Sequence, residues 1–140
     1  MSLQITPLCD VLGAEITGLD LSQPIDDQEE RTILKAFFHH HLLCFRSDPL
    51  EPADFVTFAR RFGEPQKQLL RKQRHGEVPE VSLLDSTYKK PEDKPDDLQR
   101  VRLSGWHTDD SYFEAPAKAT LLQSLAIPDS GGQTRFCNTQ

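Results

Sequence analysis

The run Trp106-His107-Thr108-Asp109 holds the most informative chemistry in this sequence. In an extended strand, residues i and i+2 face the same side. His107 and Asp109 can therefore present an imidazole nitrogen and a carboxylate oxygen to one metal ion. With a second histidine from elsewhere, such a pair makes the facial triad of two His and one carboxylate that holds non-haem Fe(II). Three ligands on one octahedral face leave three open positions, enough for a bidentate 2-oxo acid and then dioxygen. A lone His-x-Asp is common by chance, and a surface histidine beside a turn aspartate would look the same. The neighbouring Asp110 favours that plainer reading, so the surrounding sequence has to decide.

Other clusters offer less. His39, His40 and His41 are consecutive, and on a helix they spread around the axis rather than converge on one ion. Cys9, Cys44 and Cys137 are far apart and odd in number, which fits free thiols in a reducing cytoplasm better than disulfides or a zinc knuckle. There is no glycine-rich phosphate loop and no Gly-x-Ser-x-Gly elbow.

The elements that must position His107 and Asp109 belong to a chain of 140 residues, enough for one domain with a real core. An apolar fraction of 36% and a charged fraction of 27% describe an ordinary soluble protein. The net charge of −6 argues against a surface that tracks nucleic acid or anionic lipid. No apolar run is long enough to span a membrane, and no secretory signal opens the sequence. The expectation is a cytoplasmic protein that acts on a small molecule.

Local patterns predict the order of elements. Leu3 and Ile5 alternate toward Pro7 as a short strand, and Gly13 precedes a second strand through Ile16. Asp26 with Glu29 three residues on is a capping box for a helix whose apolar face is Ile33, Leu34, Phe37 and Phe38. The apolar run from Leu42 to Phe45 is too short for a helix and reads as a buried strand. A second helix is expected over 52–62, with Pro52 in its first turn and Gly63 in the left-handed position past its end. Further strands are expected around Val81, Leu83 and Leu84, over 119–127, and from Thr134 to Cys137. The stretch 86–102 is charged, proline-bearing and without periodicity, which predicts a mobile loop near the site. The mixture suggests an α+β domain, with two N-terminal helices packed on a mostly antiparallel sheet.

The context of the His-x-Asp is a resemblance. The runs from Trp106 to Tyr112, from Pro116 to Leu122 and from Ile127 to Thr134 resemble the core signature of the taurine/2,4-dichlorophenoxyacetate dioxygenases. Earlier segments match the same family: Ile5 to Leu8, Leu12 to Ile16, Leu19 to Ser22, and Phe58 to Glu64. The resemblance covers nearly the whole chain in the right order. It implies a double-stranded β-helix (jelly-roll), incomplete here, with Fe(II), 2-oxoglutarate and O₂, and release of succinate and CO₂. It puts His107 and Asp109 in the places of the first two iron ligands. Thr134 matches the family's hydroxyl donor to the distal carboxylate of 2-oxoglutarate, where a buried carboxylate oxygen needs a donor.

The family's distal histidine and 2-oxoglutarate-binding arginine lie well C-terminal to the His-x-Asp. After Asp109 this sequence has no histidine, and its only arginine, Arg135, is too early. The expectation is therefore the N-terminal portion, 1–140, of one such domain, without the strands that close the barrel and inactive alone. The taurine branch has a sulfonate-binding histidine soon after the Phe-Gly-Glu match, where this sequence reads Pro65-Gln66-Lys67-Gln68. Lys67, Arg71, Lys72, Arg74 and His75 form a basic cluster that would suit an anionic substrate, or simply solvate a loop. Two rivals remain. One is a non-catalytic, partner-binding fragment, whose bare apolar surface would drive self-association. The other is a zinc hydrolase using the same His-x-Asp, against which the Gly-Gly-x-Thr match counts.

Overall fold

The computed structural model describes residues 2–67, 74–84, 105–127, 129–130 and 133–139. The stretch 86–102, expected to be a loop over the site, lies outside the described residues, as does part of the basic cluster. Strands β1 (Gln4–Pro7), β2 (Ala14–Thr17) and β3 (Leu43–Phe45) form one sheet in the order β1-β2-β3. β1 pairs antiparallel with β2, Ile5 opposite Ile16, and β2 pairs parallel with β3, Ile16 opposite Phe45. The mostly antiparallel sheet expected from sequence is thus half parallel. Helix α1 (Asp27–His40) is the reason, because it carries the chain over the sheet and returns it in the same direction.

Helix α1 starts where the sequence says it should. The Asp26 carboxylate accepts from the backbone N–H of Gln28 and of Glu29, each at 2.8 Å. The Glu29 carboxylate in turn accepts from the Asp26 N–H at 3.2 Å, completing the box. The helix ends at His41, which adopts a left-handed φ of 61° without being glycine. The exit is fixed to the sheet by two backbone bonds of 2.9 Å, from Gly13 N–H to the His40 carbonyl and from Ala14 N–H to that of Leu42.

Helix α2 (Pro52–Ala59) begins with the expected proline but stops three residues early. Residues 60–62 tighten instead through i to i−3 bonds, such as Phe62 N–H to the Ala59 carbonyl at 3.0 Å. Gly63 follows with φ 154°, a positive value but not the left-handed helical one.

On the inner face of β2, Ala14 and Ile16 are buried, with the period of two a strand requires. Ile25, Ile33, Leu50, Phe58 and Phe62 form the core between the helices and the sheet. An edge-to-face series of rings binds its layers together: Phe45 to Phe58 at 5.2 Å, Phe58 to Phe62 at 5.6 Å, and Phe62 to Phe37 at 5.5 Å. At about 1.5–3 kcal/mol per buried apolar side chain, this cluster is the main source of stability in the N-terminal half. An Arg61–Glu30 ion pair spans from the turn after α2 to α1.

The strands expected after α2 form no ladder among the described residues. Near Val81 there is only an isolated bridge, Arg74 with Ser82. Residues 117–124 keep a two-residue alternation, Ala117, Ala119, Leu121 and Gln123 half-buried and the residues between them exposed. A strand also needs a neighbour for its backbone groups, and the described residues supply none here. Ala119 and Leu121 pack against the core regardless.

Candidate metal centre

His107 and Asp109 come together, though not by the pleat of a strand. Residues 105–110 make a bend and a turn, in which Asp110 takes a left-handed φ of 56°, tolerable for aspartate. His107 Nε2 lies 3.2 Å from Asp109 Oδ1, and both side chains are more than half exposed, at 60% and 52%. Two ligands bound about 2.1 Å from a metal and at right angles stand about 3 Å apart. The observed pair therefore has the spacing of adjacent ligands on one ion.

A main-chain contact sets the histidine's orientation. His107 Nδ1 is 3.0 Å from the carbonyl oxygen of Gly105, which can only accept, so Nδ1 carries a proton and donates it. Nε2 is then the nitrogen left for a metal, an arrangement typical of ligating histidines. The Gly105 carbonyl and, next, the Asp109 charge push the His107 pKa above the usual histidine value. The Asp109 charge favours a positive charge beside Nε2, and a divalent cation answers the same field as a proton. Sequence reasoning missed Gly105 because its contribution is a backbone oxygen, which no side-chain pattern signals.

Around the pair, the Tyr112 hydroxyl donates to Asp110 at 3.3 Å, and the Tyr112 and Phe113 rings meet at 4.7 Å. Burial, then the Asp110 charge, raises the Tyr112 pKa. Thr134 is exposed, and no hydrogen bond among the described residues joins it to His107 or Asp109. Hollows of about 340 and 420 Å³ lie at the N-terminal edge, beside Gly18 and beside Asp26, away from the His–Asp pair.

No group of three or more His, Cys, Asp or Glu is gathered for a metal among the described residues. His75 is not a ready third ligand. Its Nδ1 accepts from the backbone N–H of Val78 at 3.1 Å and of Glu77 at 3.3 Å, which leaves the ring proton on Nε2. The His39 and His40 rings meet edge to face at 4.6 Å, closer than the expected spread around the axis, and His41 caps the helix; no three-ligand group is gathered there among the described residues. Cys9, Cys44 and Cys137 are free. Arg46 pairs with Glu15 at 2.7 Å, and Arg60 with Glu64 at 3.6 Å. No helix among the described residues is long and apolar enough to cross a membrane.

Comparison with known proteins identifies the family. Residues 4–140 match the family of the taurine catabolism dioxygenase TauD and TfdA, and the chain belongs to that family. It is 32% identical, over 99% of its length, to an alkylsulfatase of Acinetobacter baylyi, of which it covers 40%. It is also 32% identical, over 99% of its length, to an alpha-ketoglutarate-dependent sulfate ester dioxygenase of Pseudomonas putida, of which it covers 42%. The chain thus spans well under half the length of these relatives. The crystal structure of a taurine dioxygenase from Burkholderia xenovorans superposes with a TM-score of 0.55 at 31% identity, covering 61% of this chain and 32% of that one.

Proposed function

We propose that these residues form the N-terminal portion of an Fe(II)- and 2-oxoglutarate-dependent dioxygenase that hydroxylates a small organic anion. The observation that carries the reading is the 3.2 Å approach of His107 Nε2 to Asp109 Oδ1, with Nδ1 tied to Gly105, inside a family-wide sequence match. In this reading His107 and Asp109 hold two coordination positions of the iron. When bound, the iron supplies the activation of dioxygen, with 2-oxoglutarate as co-substrate and succinate and CO₂ as products. The Gly105 carbonyl keeps the His107 proton on Nδ1, and the turn at Asp110 holds Asp109 beside the ring. Thr134 serves as the hydroxyl donor to the distal carboxylate of 2-oxoglutarate. In this reading the site also needs a third iron ligand and a cationic partner for that carboxylate, and no histidine follows Asp109 within these residues. The fold, in this reading, is part of a double-stranded β-helix.

A sulfate ester is the substrate class favoured by the names of the two relatives above, and it agrees with a small anionic molecule as ligand. The test is succinate formation under air with Fe(II), ascorbate and a panel of alkyl sulfates, sulfonates and phenoxy acids. The chain alone is compared with a chimaera that continues after Gln140 with the C-terminal part of the Burkholderia xenovorans enzyme. The chimaera is expected to turn over and the chain alone is not, and His107→Ala or Asp109→Ala should abolish turnover. An active His107→Ala chimaera would refute the site.

A further inference from the structure

The segment that follows the metal pair has no strand ladder among the described residues, yet it sits in a defined place. Gln123 shows how. Its Oε1 accepts the backbone N–H of Leu50 at 2.8 Å, and its Nε2 donates to the Leu50 carbonyl at 2.8 Å. One planar carboxamide thus occupies both backbone groups of one residue, as a neighbouring strand would. Only one orientation of the amide makes both bonds, because the flipped group would set NH₂ against N–H. Leu50 is 7% exposed and lies just before Pro52, in a loop with no ladder of its own. Without the glutamine its two polar backbone groups would lose these partners in a part-buried setting. The same segment is held by Ala119 and Leu121 against the core and by Lys118 Nζ over the Phe38 ring, 5.1 Å from its centroid.

We infer that Gln123 is a positioning residue: by clamping the backbone of Leu50 it seats the segment between the His107–Asp109 pair and Thr134 on the N-terminal layer. The inference rests on the metal reading above. It goes beyond that reading because it makes the N-terminal core part of the site's geometry, coupled through an uncharged side chain that touches neither metal nor substrate. Ala119 and Leu121 alone would hold the segment against the core without fixing its travel along it, since apolar contact is not directional. The two amide bonds set that register.

Two variants test the clamp. Gln123→Met keeps length and loses both bonds, whereas Gln123→Glu keeps an acceptor for Leu50 N–H and sets its other oxygen against the Leu50 carbonyl. Val56→Ala, at a buried side chain of α2, serves as a control for general destabilisation. Three quantities are read on the 140-residue chain: hydrogen exchange at the Leu50 amide, Mn(II) affinity, and the imidazole ¹⁵N signals of His107. In Gln123→Met, Leu50 exchange should quicken and Mn(II) affinity fall, each about tenfold, as expected for loss of a bond near 1.4 kcal/mol. The His107 signals should shift toward those of a free imidazole. Gln123→Glu should also loosen the clamp and lower affinity, because an oxygen then faces the Leu50 carbonyl, and Val56→Ala should leave the His107 signals in place. An unchanged Leu50 amide in Gln123→Met would show that the clamp does not form in solution. Equal loss of affinity in Gln123→Met and Val56→Ala would reduce the residue to general stability and overturn the inference. If the unsubstituted chain places no Mn(II) at His107, it is the metal reading that fails, and Leu50 exchange still decides whether the clamp exists.

Discussion

Replacing Asp26 with alanine removes the acceptor for two helix-start donors, Gln28 N–H and Glu29 N–H, each bonded at 2.8 Å. Both bonds are exposed, so water can take over the freed groups and no buried-donor penalty arises. The cost therefore belongs in the middle of the range for losing an N-cap, about 1 kcal/mol. For a chain of this size that lowers the melting temperature by about 4 °C. Asp26→Asn keeps the oxygen and gives up only the charge near the helix N-terminus, so its cost should be about 0.3–0.5 kcal/mol. Glu29→Ala breaks the single 3.2 Å return bond and should cost less than Asp26→Ala. Urea unfolding followed by far-ultraviolet circular dichroism measures all three. If Asp26→Ala were as stable as the unsubstituted chain, or Asp26→Asn as costly as Asp26→Ala, the capping account of α1 would be wrong.

Gly18→Ala should be damaging, because Gly18 has φ 80° and an added Cβ would clash with the Ser2 carbonyl oxygen. A loss of about 1–3 kcal/mol in the same urea experiment is expected. Asp20 should titrate below the ordinary aspartate range, since the Ser22 hydroxyl, at 2.6 Å, and then the Ser22 N–H both donate to its carboxylate. A depressed carboxyl pKa contributes stability above the unfolded value and loses it as pH falls through the folded one, so the 20–23 turn should loosen only in strong acid. Carbon-detected NMR of the Asp20 carboxyl, with Ser22→Ala returning the midpoint toward the ordinary range, checks the sign.

The N-terminal half was legible because its signals are local. Asp26 and Glu29 announce the cap, Pro52 the start of α2, and the alternation through Ile16 a strand buried on one face. Strand direction was not legible, since β2 and β3 are parallel only through the path of α1. The left-handed exit of α1 fell on His41, hidden within a histidine run where a glycine would have marked it. In 117–124 the two-residue period is real, though it lapses before 127, and a strand is a relation between two segments, so a pattern within one cannot show whether its partner is present. The His–Asp pair was visible as residue types and became specific only through the family resemblance. The Gly105 carbonyl and the Gln123–Leu50 clamp were not visible, one being a main-chain atom and the other linking residues 73 apart.

The central claim is that His107 and Asp109 share a divalent metal. Adding Mn(II) stepwise to the ¹⁵N-labelled chain, at a pH where His107 has lost its second proton, tests this most directly, because the ion broadens nearby resonances first. Signals of residues 105–111 should fade at the lowest metal concentration, and Asp109→Ala should remove the effect. Broadening centred on His39–His41 or His75, or unchanged by Asp109→Ala, would contradict it.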